Sequence, residues 1–188
     1  LKIENVKKTN KIAICGCGIL GLFIIKILSF LEIKNIVAVD INEKKLLKAK
    51  NFGARYILNP KTKNIEKNIN NIFGGIDYFF ECSGNISIIN DAFKTLNNLG
   101  TQVFIGVPPH NKKAQFNTLD TNLGKKLIGS KGGGFLPDQE YYEYEKLTSF
   151  KKLNYQNFIS EKIRLKDIND LIAEMKKGKI IGKPIIQF

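Results

Sequence analysis

The segment most informative about the fold lies near the start of the chain and reads Lys11-Ile12-Ala13-Ile14-Cys15-Gly16-Cys17-Gly18-Ile19-Leu20-Gly21. An apolar run suited to a buried strand, Lys11–Cys15, leads directly into three glycines spaced Gly-x-Gly-x-x-Gly. Apolar residues then continue at helical spacing, which predicts a helix over Ile19–Leu31. The sequence therefore predicts a tight turn that joins a strand to a helix.

Each glycine of this turn has an expected role in holding a phosphorylated ligand. Gly16 allows the tight turn, Gly18 leaves room for a pyrophosphate, and Gly21 lets the helix pack closely on the strand. The free N–H groups at the helix start, at Ile19 and Leu20, carry the positive end of the helix dipole and are expected to hold the phosphates. The motif predicts a dinucleotide site if an acid follows the second strand.

Asp40 supplies that acid, because it ends the second predicted strand about 20 residues after Gly18. A carboxylate at this place can accept hydrogen bonds from an adenosine ribose. It also disfavours a 2′-phosphate, so NAD is predicted rather than NADP. Lys45 is either a ribose or adenine-side contact or a solvated helix lysine. Three nearby cations weaken the preference for NAD: Lys44, Lys45 and Arg55.

Short apolar runs alternate with longer amphipathic ones, which predicts an α/β fold with a doubly wound, Rossmann-type parallel sheet in the order 3-2-1-4-5-6. The six predicted strands are Lys11–Cys15, Ile36–Asp40, Arg55–Leu58, Ile76–Glu81, Gln102–Gly106 and Lys126–Ser130. The predicted helices between the first five are Ile19–Leu31, Glu43–Phe52, Asn64–Phe73 and Ile86–Leu99. Asn42 is the expected N-cap of the second helix. Gly53 and Gly100 are the expected left-handed helix ends.

The pattern changes after Ser130, so we divide the chain into a dinucleotide-binding domain, residues 1–134, and a tail, residues 135–188. Gly132-Gly133-Gly134 predicts a flexible crossing between them. The tail is predicted to hold helices over Asp138–Phe150 and Asp167–Lys177 and a strand over Pro184–Phe188. Tyr141, Tyr142 and Tyr144 either line a substrate cleft or cover the sheet. The tail is too short to bury its own core, so we expect it to pack on the sheet or on a partner.

Composition argues against several other classes of protein. The 30 Lys and Arg exceed the 17 Asp and Glu by a formal net charge of +13, but lysines are spread through the chain and only two residues are Arg. Nucleic-acid binding is therefore not expected. The apolar run Ile12–Ile25 resembles a signal peptide, yet Lys26 ends it before the roughly 20 residues of a membrane span. Three cysteines are too few for a disulfide scaffold and indicate a reducing, cytoplasmic compartment.

From Lys11 to Phe188 the sequence resembles the coenzyme-binding half of zinc-dependent alcohol dehydrogenases, in the medium-chain dehydrogenase/reductase superfamily. The matching stretches are Gly16–Gly21, Val39–Lys45, Asn51–Ala54, Phe80–Asn85, Ile105–Pro109 and Gly178–Phe188. The resemblance implies an oxidoreductase that transfers hydride between NAD and an alcohol or carbonyl substrate. It also implies a homodimer, because the family pairs edge strands such as residues 126–130 between subunits.

The resemblance further implies where the coenzyme would lie. Cys82, Ser83 and Gly84 would flank the nucleotide where the strand order reverses. The backbone of Ile105, Ser130 and Gly132 would face the nicotinamide carboxamide. Lys183 stands where the family often has an Arg that touches the pyrophosphate. The full set of expected coenzyme contacts is Gly16, Gly18, Ile19, Leu20, Gly21, Asp40, Ile41, Lys45, Cys82, Ser83, Ile105, Gly106, Val107, Ser130, Gly132 and Lys183.

The catalytic zinc is where this chain departs from the family. The family holds that zinc with Cys, His and Cys or Glu ligands of an N-terminal domain that precedes this segment. No spacing among Cys15, Cys17, Cys82 and His110 resembles a zinc site. We therefore expect no catalytic or metal-binding residue in this chain, and no activity from the chain alone. The thiols either fill the core and loops or have a redox or metal role, and His110 is either a solvated loop residue or a general base.

Two other functions remain as alternatives. A self-contained NAD-binding sensor or assembly module would need no catalytic domain. A methyltransferase could bind S-adenosylmethionine with a glycine loop and a strand-end acid, but its sheet should end in an antiparallel strand pair. The run through Gly106-Val107-Pro108-Pro109 to a sixth parallel strand disfavours that hypothesis.

Overall fold

The computed structural model describes residues 6–134, 136, 138–142, 145 and 154–188. They fall into two compact units, Leu1–Phe135 and Leu136–Phe188. The first unit holds a six-stranded sheet with its helices, and the second holds a two-stranded sheet and a helix. Within these described residues, no helix is long and apolar enough to cross a membrane.

The first unit alternates strands and helices along the chain. Its elements are β1 (Ile12–Cys15), α1 (Ile19–Phe30), β2 (Ile36–Val39), α2 (Glu43–Phe52), β3 (Tyr56–Leu58), α3 (Ile65–Phe73), β4 (Ile76–Glu81), α4 (Ile86–Lys94), β5 (Leu96–Phe104), α5 (Thr118–Asn122) and β6 (Lys126–Gly129). All neighbouring strands are parallel, in the order β3-β2-β1-β4-β5-β6. This confirms the predicted fold class and strand order. The parallel pairing of β5 with β6 also differs from the ending expected of a methyltransferase.

The central strands are apolar on both faces because helices cover both faces of the sheet. Every residue of β1 and β2 is buried. Alternate residues such as Ala13 and Val37 pack in one cluster with α3 and α4, through Ile69 and Phe93. Each large aliphatic side chain buried in this way contributes about 1.5–3 kcal/mol. The chain therefore carries a strong core at the strands that position the glycine turn.

Most predicted boundaries agree with the structure to within one residue, but the boundary between α4 and β5 was predicted wrongly. The helix predicted to reach Leu99 ends at Lys94, and β5 begins at Leu96 rather than Gln102. Gly100 is a strand residue and not a left-handed helix end. The ladder pairs Leu96 with Ile76 and then Thr101 with Tyr78, so residues 97–100 form an irregularity. This pairing with β4 overrides a local pattern that fitted a helix.

Local turn chemistry was predicted better. The side chain of Asn42 accepts hydrogen bonds from the N–H groups of Lys44 at 3.0 Å and Lys45 at 3.3 Å, which confirms it as the N-cap of α2. Gly53 follows α2 with a φ of 122°. The three glycines after Ser130 lie in an irregular turn, Lys131–Gly134, and each has a positive φ. The short helix α5 was not predicted.

The second unit contains β7 (Ile159–Ile163), α6 (Ile168–Lys176) and β8 (Lys183–Ile186), with 3₁₀ turns at Tyr155–Phe158 and Leu165–Asp167. Strands β7 and β8 pair in parallel, and β7 was not predicted. The expected helix and final strand lie within one or two residues of α6 and β8. The helix predicted over residues 138–150 is helical at 138–142 and 145, and its other positions, Tyr144 included, lie outside the described residues.

Candidate functional site

The glycine turn lies at the carboxyl end of β1, where β1 stands between β2 and β4. Gly16 has a φ of 88°, and a Cβ there would lie 3.0 Å from the backbone of Cys82 and Ser83. A Cβ on Gly21 would collide with the carbonyl oxygen of Gly16, whereas a Cβ on Gly18 would meet nothing within 4 Å. The turn is therefore tight at two glycines and open at the middle one, as the expected roles require.

The start of α1 presents free donors beside this opening. Gly18 is the N-cap and has no side chain, so no side-chain oxygen caps the helix. The first helical bond recorded runs from the N–H of Leu22 to the carbonyl of Gly18, at 2.9 Å. The N–H groups of Ile19 and Leu20 have no acceptor among the residues that the structure describes. An anion could therefore bind here without displacing a bond within the protein.

Asp40 follows β2 directly and is only 9% exposed. One carboxylate oxygen accepts the N–H of Cys17 at 2.7 Å, and the other accepts the N–H of Asn42 at 2.8 Å. The carboxylate thus ties the glycine turn to the turn that enters α2, a contact that sequence reasoning missed. Each oxygen keeps a further acceptor position, so a ribose hydroxyl can still bind.

The cations near Asp40 in sequence separate in space. Lys45 is half-buried in the first turn of α2, and its N–H donates to the side chain of Asn42, whose own N–H donates to Asp40. Lys45 therefore lies near the Asp40 turn. Arg55 precedes β3, and its N–H bonds to the carbonyl of Ile36 at the start of β2. Arg55 therefore lies at the amino edge of the sheet, away from Asp40. Ile41, another expected contact, is 57% exposed beside the carboxylate.

A second buried carboxylate, Glu81, ends β4 and is 0% exposed. It accepts the N–H of Ser83 at 2.8 Å, the N–H of Gly84 at 2.9 Å and the hydroxyl of Ser83. Its main-chain carbonyl accepts the N–H groups of Ile105 and Gly106, both at 2.8 Å. The resemblance assigned coenzyme contacts to the three residues after Glu81 but gave no role to Glu81, although it lies within the matching stretch Phe80–Asn85. The available signal was a charged residue that directly follows the apolar run Tyr78-Phe79-Phe80 at the carboxyl end of a strand.

The turns after β4 and β5 touch each other through two glycines. Gly84 has a φ of 69°, and a Cβ on it would lie 2.5 Å from the carbonyl oxygen of Val107. A Cβ on Gly106 would collide with the N–H of Gly84. A cavity of about 570 Å³ opens beside this contact, lined by Ser83, Gly84, Asn85, Ile86, Ser87, Val107, Pro109 and Lys112. Two of the expected coenzyme contacts, Ser83 and Val107, therefore share one cavity.

The remaining expected contacts are distributed over both units. Ser130 follows β6, and its N–H bonds to the carbonyl of Phe104 at 2.9 Å, which brings it to the end of β5. Gly132 follows with a φ of 66°. Lys183 begins β8 in the second unit, where it pairs with Ile159. Its contact with a coenzyme, like those of the other expected residues, stays a prediction.

The three thiols cluster around the carboxyl end of β1 and are all free. Burial, followed by the charge of Glu81, raises the pKa of Cys82 to about 12. Burial is also the main cause that raises the pKa of Cys15 and of Cys17 well above the usual range. In the part of the chain that the structure describes, no group of three or more His, Cys, Asp or Glu could hold a metal ion. His110 is exposed in the loop after β5.

These features fit a dinucleotide. The open side of Gly18, the free N–H groups of α1 and the carboxylate of Asp40 lie at the carboxyl edge of a doubly wound sheet. That edge, at the point where the strand order reverses, is where such sheets bind nucleotides.

Comparison with known proteins agrees with a dinucleotide-binding fold. Residues 20–150 match the family model of zinc-binding dehydrogenases. Alcohol dehydrogenase-like 3 of Arabidopsis thaliana is 29% identical over 181 residues, which cover 94% of this chain and 46% of that protein. The S-(hydroxymethyl)glutathione dehydrogenase of Saccharomyces cerevisiae is 31% identical over 185 residues, which cover 95% and 48%. The chain spans about half the length of these relatives.

Solved structures show the same fold. A benzyl alcohol dehydrogenase from Acinetobacter calcoaceticus superposes with a TM-score of 0.90 at 27% identity, over 100% of this chain and 52% of that one. Two more distant chains share the fold at 20% and 17% identity, with TM-scores of 0.75 and 0.84. The first is a zinc-binding dehydrogenase from Sinorhizobium meliloti bound to NADP, and the match covers 87% of this chain and 48% of that one. The second is an Escherichia coli alcohol dehydrogenase bound to NADH, and the match covers 97% of this chain and 53% of that one. The chain therefore belongs to the zinc-binding dehydrogenases of the medium-chain dehydrogenase/reductase superfamily and corresponds to their coenzyme-binding domain.

Proposed function

We propose that this chain binds NAD along the carboxyl edge of its sheet, as part of an oxidoreductase that transfers hydride between NAD and an alcohol or carbonyl substrate. The observation that carries the proposal is the open glycine turn. Gly18 has no neighbour where a Cβ would stand, and the adjacent N–H groups of α1 have no acceptor among the described residues. A pyrophosphate fits this opening because it would satisfy those donors at the positive end of the helix.

Each part of the edge would hold a different part of the coenzyme. The N–H groups of Ile19 and Leu20 bind the pyrophosphate, and Asp40 accepts the hydroxyls of the adenosine ribose. The turns after β4, β5 and β6 orient the nicotinamide half through Ser83, Ile105 and Ser130. The bound nicotinamide ring supplies the hydride acceptor or donor. The protein therefore contributes binding and orientation.

NAD is proposed over NADP because of charge at the ribose. A 2′-phosphate beside Asp40 would add about two negative charges next to a carboxylate that is already buried. Lys45 lies on that side and could offset part of this repulsion, whereas Arg55 lies at the opposite edge. We expect the repulsion of the 2′-phosphate by Asp40 to outweigh its attraction to Lys45, since the carboxylate of Asp40 would contact the ribose directly.

The catalytic zinc and the substrate pocket are proposed to lie in a domain outside this chain. The chain spans about half the length of its curated relatives, and the match covers the coenzyme-binding domain. On this proposal the chain alone does not turn over substrate.

The second unit is proposed to pack against that catalytic domain. A two-stranded sheet such as β7 and β8 is only marginally stable alone. Several large apolar side chains of this unit are exposed: Leu136, Tyr141, Tyr142, Leu165, Met175 and Phe188. A docked domain would cover them.

We also propose that two copies pair through β6. Strand β6 is an outer strand of the sheet, and three of its four residues are exposed, Ile128 at 47%. Its free backbone edge can pair with the same strand of a second copy about a two-fold axis. Sedimentation should show a dimer at high concentration, and a monomer there would contradict this part of the proposal.

The central test is a calorimetric titration of the purified chain. NADH should bind, and NADPH should bind at least tenfold more weakly, because of the charge of Asp40. S-adenosylmethionine should not compete. The chain must be shown to be folded by circular dichroism under the same conditions. A folded chain that binds neither dinucleotide would contradict the proposal, and equal affinity for both would contradict the preference for NAD.

A further inference from the structure

Glu81 stands at the centre of the candidate site although it is not among the expected coenzyme contacts. It ends β4, where it pairs in register with Cys15 on one side and Phe104 on the other. The glycine turn begins one residue after Cys15, and the turn after β5 begins one residue after Phe104. Glu81 therefore lies between the two neighbouring turns as well as at the start of its own.

The carboxylate of Glu81 holds the turn of its own strand. Both backbone N–H groups that follow Cys82 point to it, and so does the hydroxyl of Ser83. The Ser83 hydroxyl also accepts the N–H of Asn85 at 3.1 Å, and Asn85 in turn caps α4 by accepting the N–H of Ile88 at 3.2 Å. One chain of hydrogen bonds thus runs from Glu81 to the start of α4.

The main chain of Glu81 holds the turn after β5. Its carbonyl accepts two N–H groups there, and the two turns are in direct contact at Gly84 and Gly106. The other side of the β4 turn faces Gly16, where a Cβ would lie 3.0 Å from the backbone of Cys82 and Ser83. The turn is therefore enclosed between the glycine turn and the turn after β5. A displacement of Ser83 and Gly84 would displace both neighbours.

The buried carboxylate of Glu81 is unusual because no cationic side chain of the described residues pairs with it. No Lys or Arg of the described residues forms an ion pair with Glu81. Burying an unpaired charge is costly unless several donors surround it. The three donors of the turn provide that compensation, so the charge of Glu81 and the conformation of the turn depend on each other.

We propose that Glu81 is a positioning residue of the coenzyme site, which holds the turns after β4 and β5 in the arrangement that receives the dinucleotide. The inference rests on the proposed function and deepens it. Glu81 is fully buried and acts through Ser83 and Gly84, so it need not touch the coenzyme. A residue that only stabilised the fold would affect unfolding but not the affinity of the folded chain.

The test compares the two ends of β4. In Glu81→Gln the shape is kept, but an NH2 group replaces one acceptor and faces the N–H donors of the turn. The matched control is Asp77→Asn, at the amino end of the same strand, where a carboxylate also accepts N–H groups but no expected coenzyme contact lies nearby. NADH affinity is measured by calorimetry at a temperature where circular dichroism shows each variant to be folded.

We expect Glu81→Gln to lower the affinity for NADH at least tenfold and Asp77→Asn to change it less than twofold. A folded Glu81→Gln variant that binds NADH like the wild type would overturn the positioning role while leaving the proposed function intact. Absence of binding by the wild type would instead overturn the proposed function. An equal loss in both variants would identify a general effect of stability and overturn the role of Glu81.

Two further measurements decide the matter if Glu81→Gln does not fold. Ser83→Ala removes one donor from the carboxylate and should lower NADH affinity three- to tenfold, so unchanged affinity would overturn the proposal. Hydrogen exchange of the wild type without ligand gives a direct signature. Ser83 is exposed, yet its N–H should exchange at least a hundredfold more slowly than that of the exposed Val107. Equal exchange rates would show that the carboxylate does not hold the turn.

Discussion

At both the carboxyl and the amino edge of the sheet, carboxylates accept N–H groups, but the bonds have different roles at the two edges. At the carboxyl edge, Asp40 accepts one backbone N–H of the glycine turn after β1 and one of the turn after its own strand. Glu81 accepts backbone N–H groups of the turn after its own strand. At the amino edge, Asp77 accepts the N–H of Lys11 and the side-chain amides of Asn10 and Asn97. The first pair arranges loops around an opening, and Asp77 ties segments that lead into neighbouring strands. We infer that the role of an acid at a strand end depends on what lies beside its donors.

The largest expected effect on stability distinguishes Gly21, a tight position of the glycine turn, from Gly18, its open position. Gly21→Ala places a methyl group against the carbonyl oxygen of Gly16, so we expect a loss of about 3 kcal/mol in the free energy of unfolding. Gly18→Ala has open space and a φ of −74°, so the fold should be as stable as the wild type or slightly more stable. Gly18→Ala should nevertheless bind NADH at least tenfold more weakly, because the methyl group would occupy the position proposed for the pyrophosphate.

Urea unfolding and calorimetric titration of both glycine variants measure these effects. If Gly18→Ala bound NADH normally, the opening beside α1 would not be the phosphate site. If Gly21→Ala were as stable as the wild type, the helix would not be packed as closely on the turn as the geometry indicates.

Asp40→Asn gives the next largest effect, on binding. The amide replaces one acceptor with a donor, so a ribose hydroxyl and the N–H of Cys17 or Asn42 lose a partner. We expect NADH affinity to fall by about 1–3 kcal/mol, or roughly tenfold to a hundredfold. The affinity ratio of NADH to NADPH, measured by titration, should fall as well. An unchanged ratio would show that Asp40 does not set the preference.

At the amino edge, the expected effect of Asp77 is on pH-dependent stability. Burial raises the pKa of this carboxyl, but the N–H of Lys11 and the amides of Asn10 and Asn97 outweigh it and hold the pKa below its ordinary value of 3.8. Asp77 therefore stabilises the fold above that value, and the contribution is lost as the pH falls from about 5 through and below 3.8.

Asp77→Asn should accordingly be less stable than the wild type at pH 7 and should approach it in acid. Urea unfolding of both proteins between pH 3 and pH 7 measures this difference. A difference that grew in acid would contradict the assigned direction of the pKa.

The smallest expected effect concerns the thiols at the carboxyl edge. Because burial and the charge of Glu81 raise the pKa of Cys82 to about 12, almost none of it is thiolate at pH 8. Iodoacetamide should leave Cys15, Cys17 and Cys82 of the folded chain unmodified and should modify all three in urea, as mass spectrometry would show. Rapid modification of Cys82 in the folded chain would argue for a redox role instead.

Local patterns predicted much of the site, because the glycine turn and its acid are made by short segments. Asn42, the three glycines and the strand that Asp40 follows could all be recognised from neighbouring residues. The end of α4 could not, because the pairing of Leu96 with Ile76 joins residues far apart in sequence. Strand β7 could not be recognised either, since its partner β8 lies some 20 residues away.

Hydrophobic periodicity and turn chemistry, which act over a few residues, were enough to predict the fold class and the strand order. The same local patterns predict the dinucleotide site at the glycine turn, which stays a prediction. Only the tertiary structure decided which acids hold the turns. Asp40 contacts Cys17 across two strands, Glu81 organises two turns at once, and Arg55 lies at the far edge despite its nearness to Asp40 in sequence. These contacts follow from the side-by-side packing of parallel strands, which brings together residues that no local pattern connects.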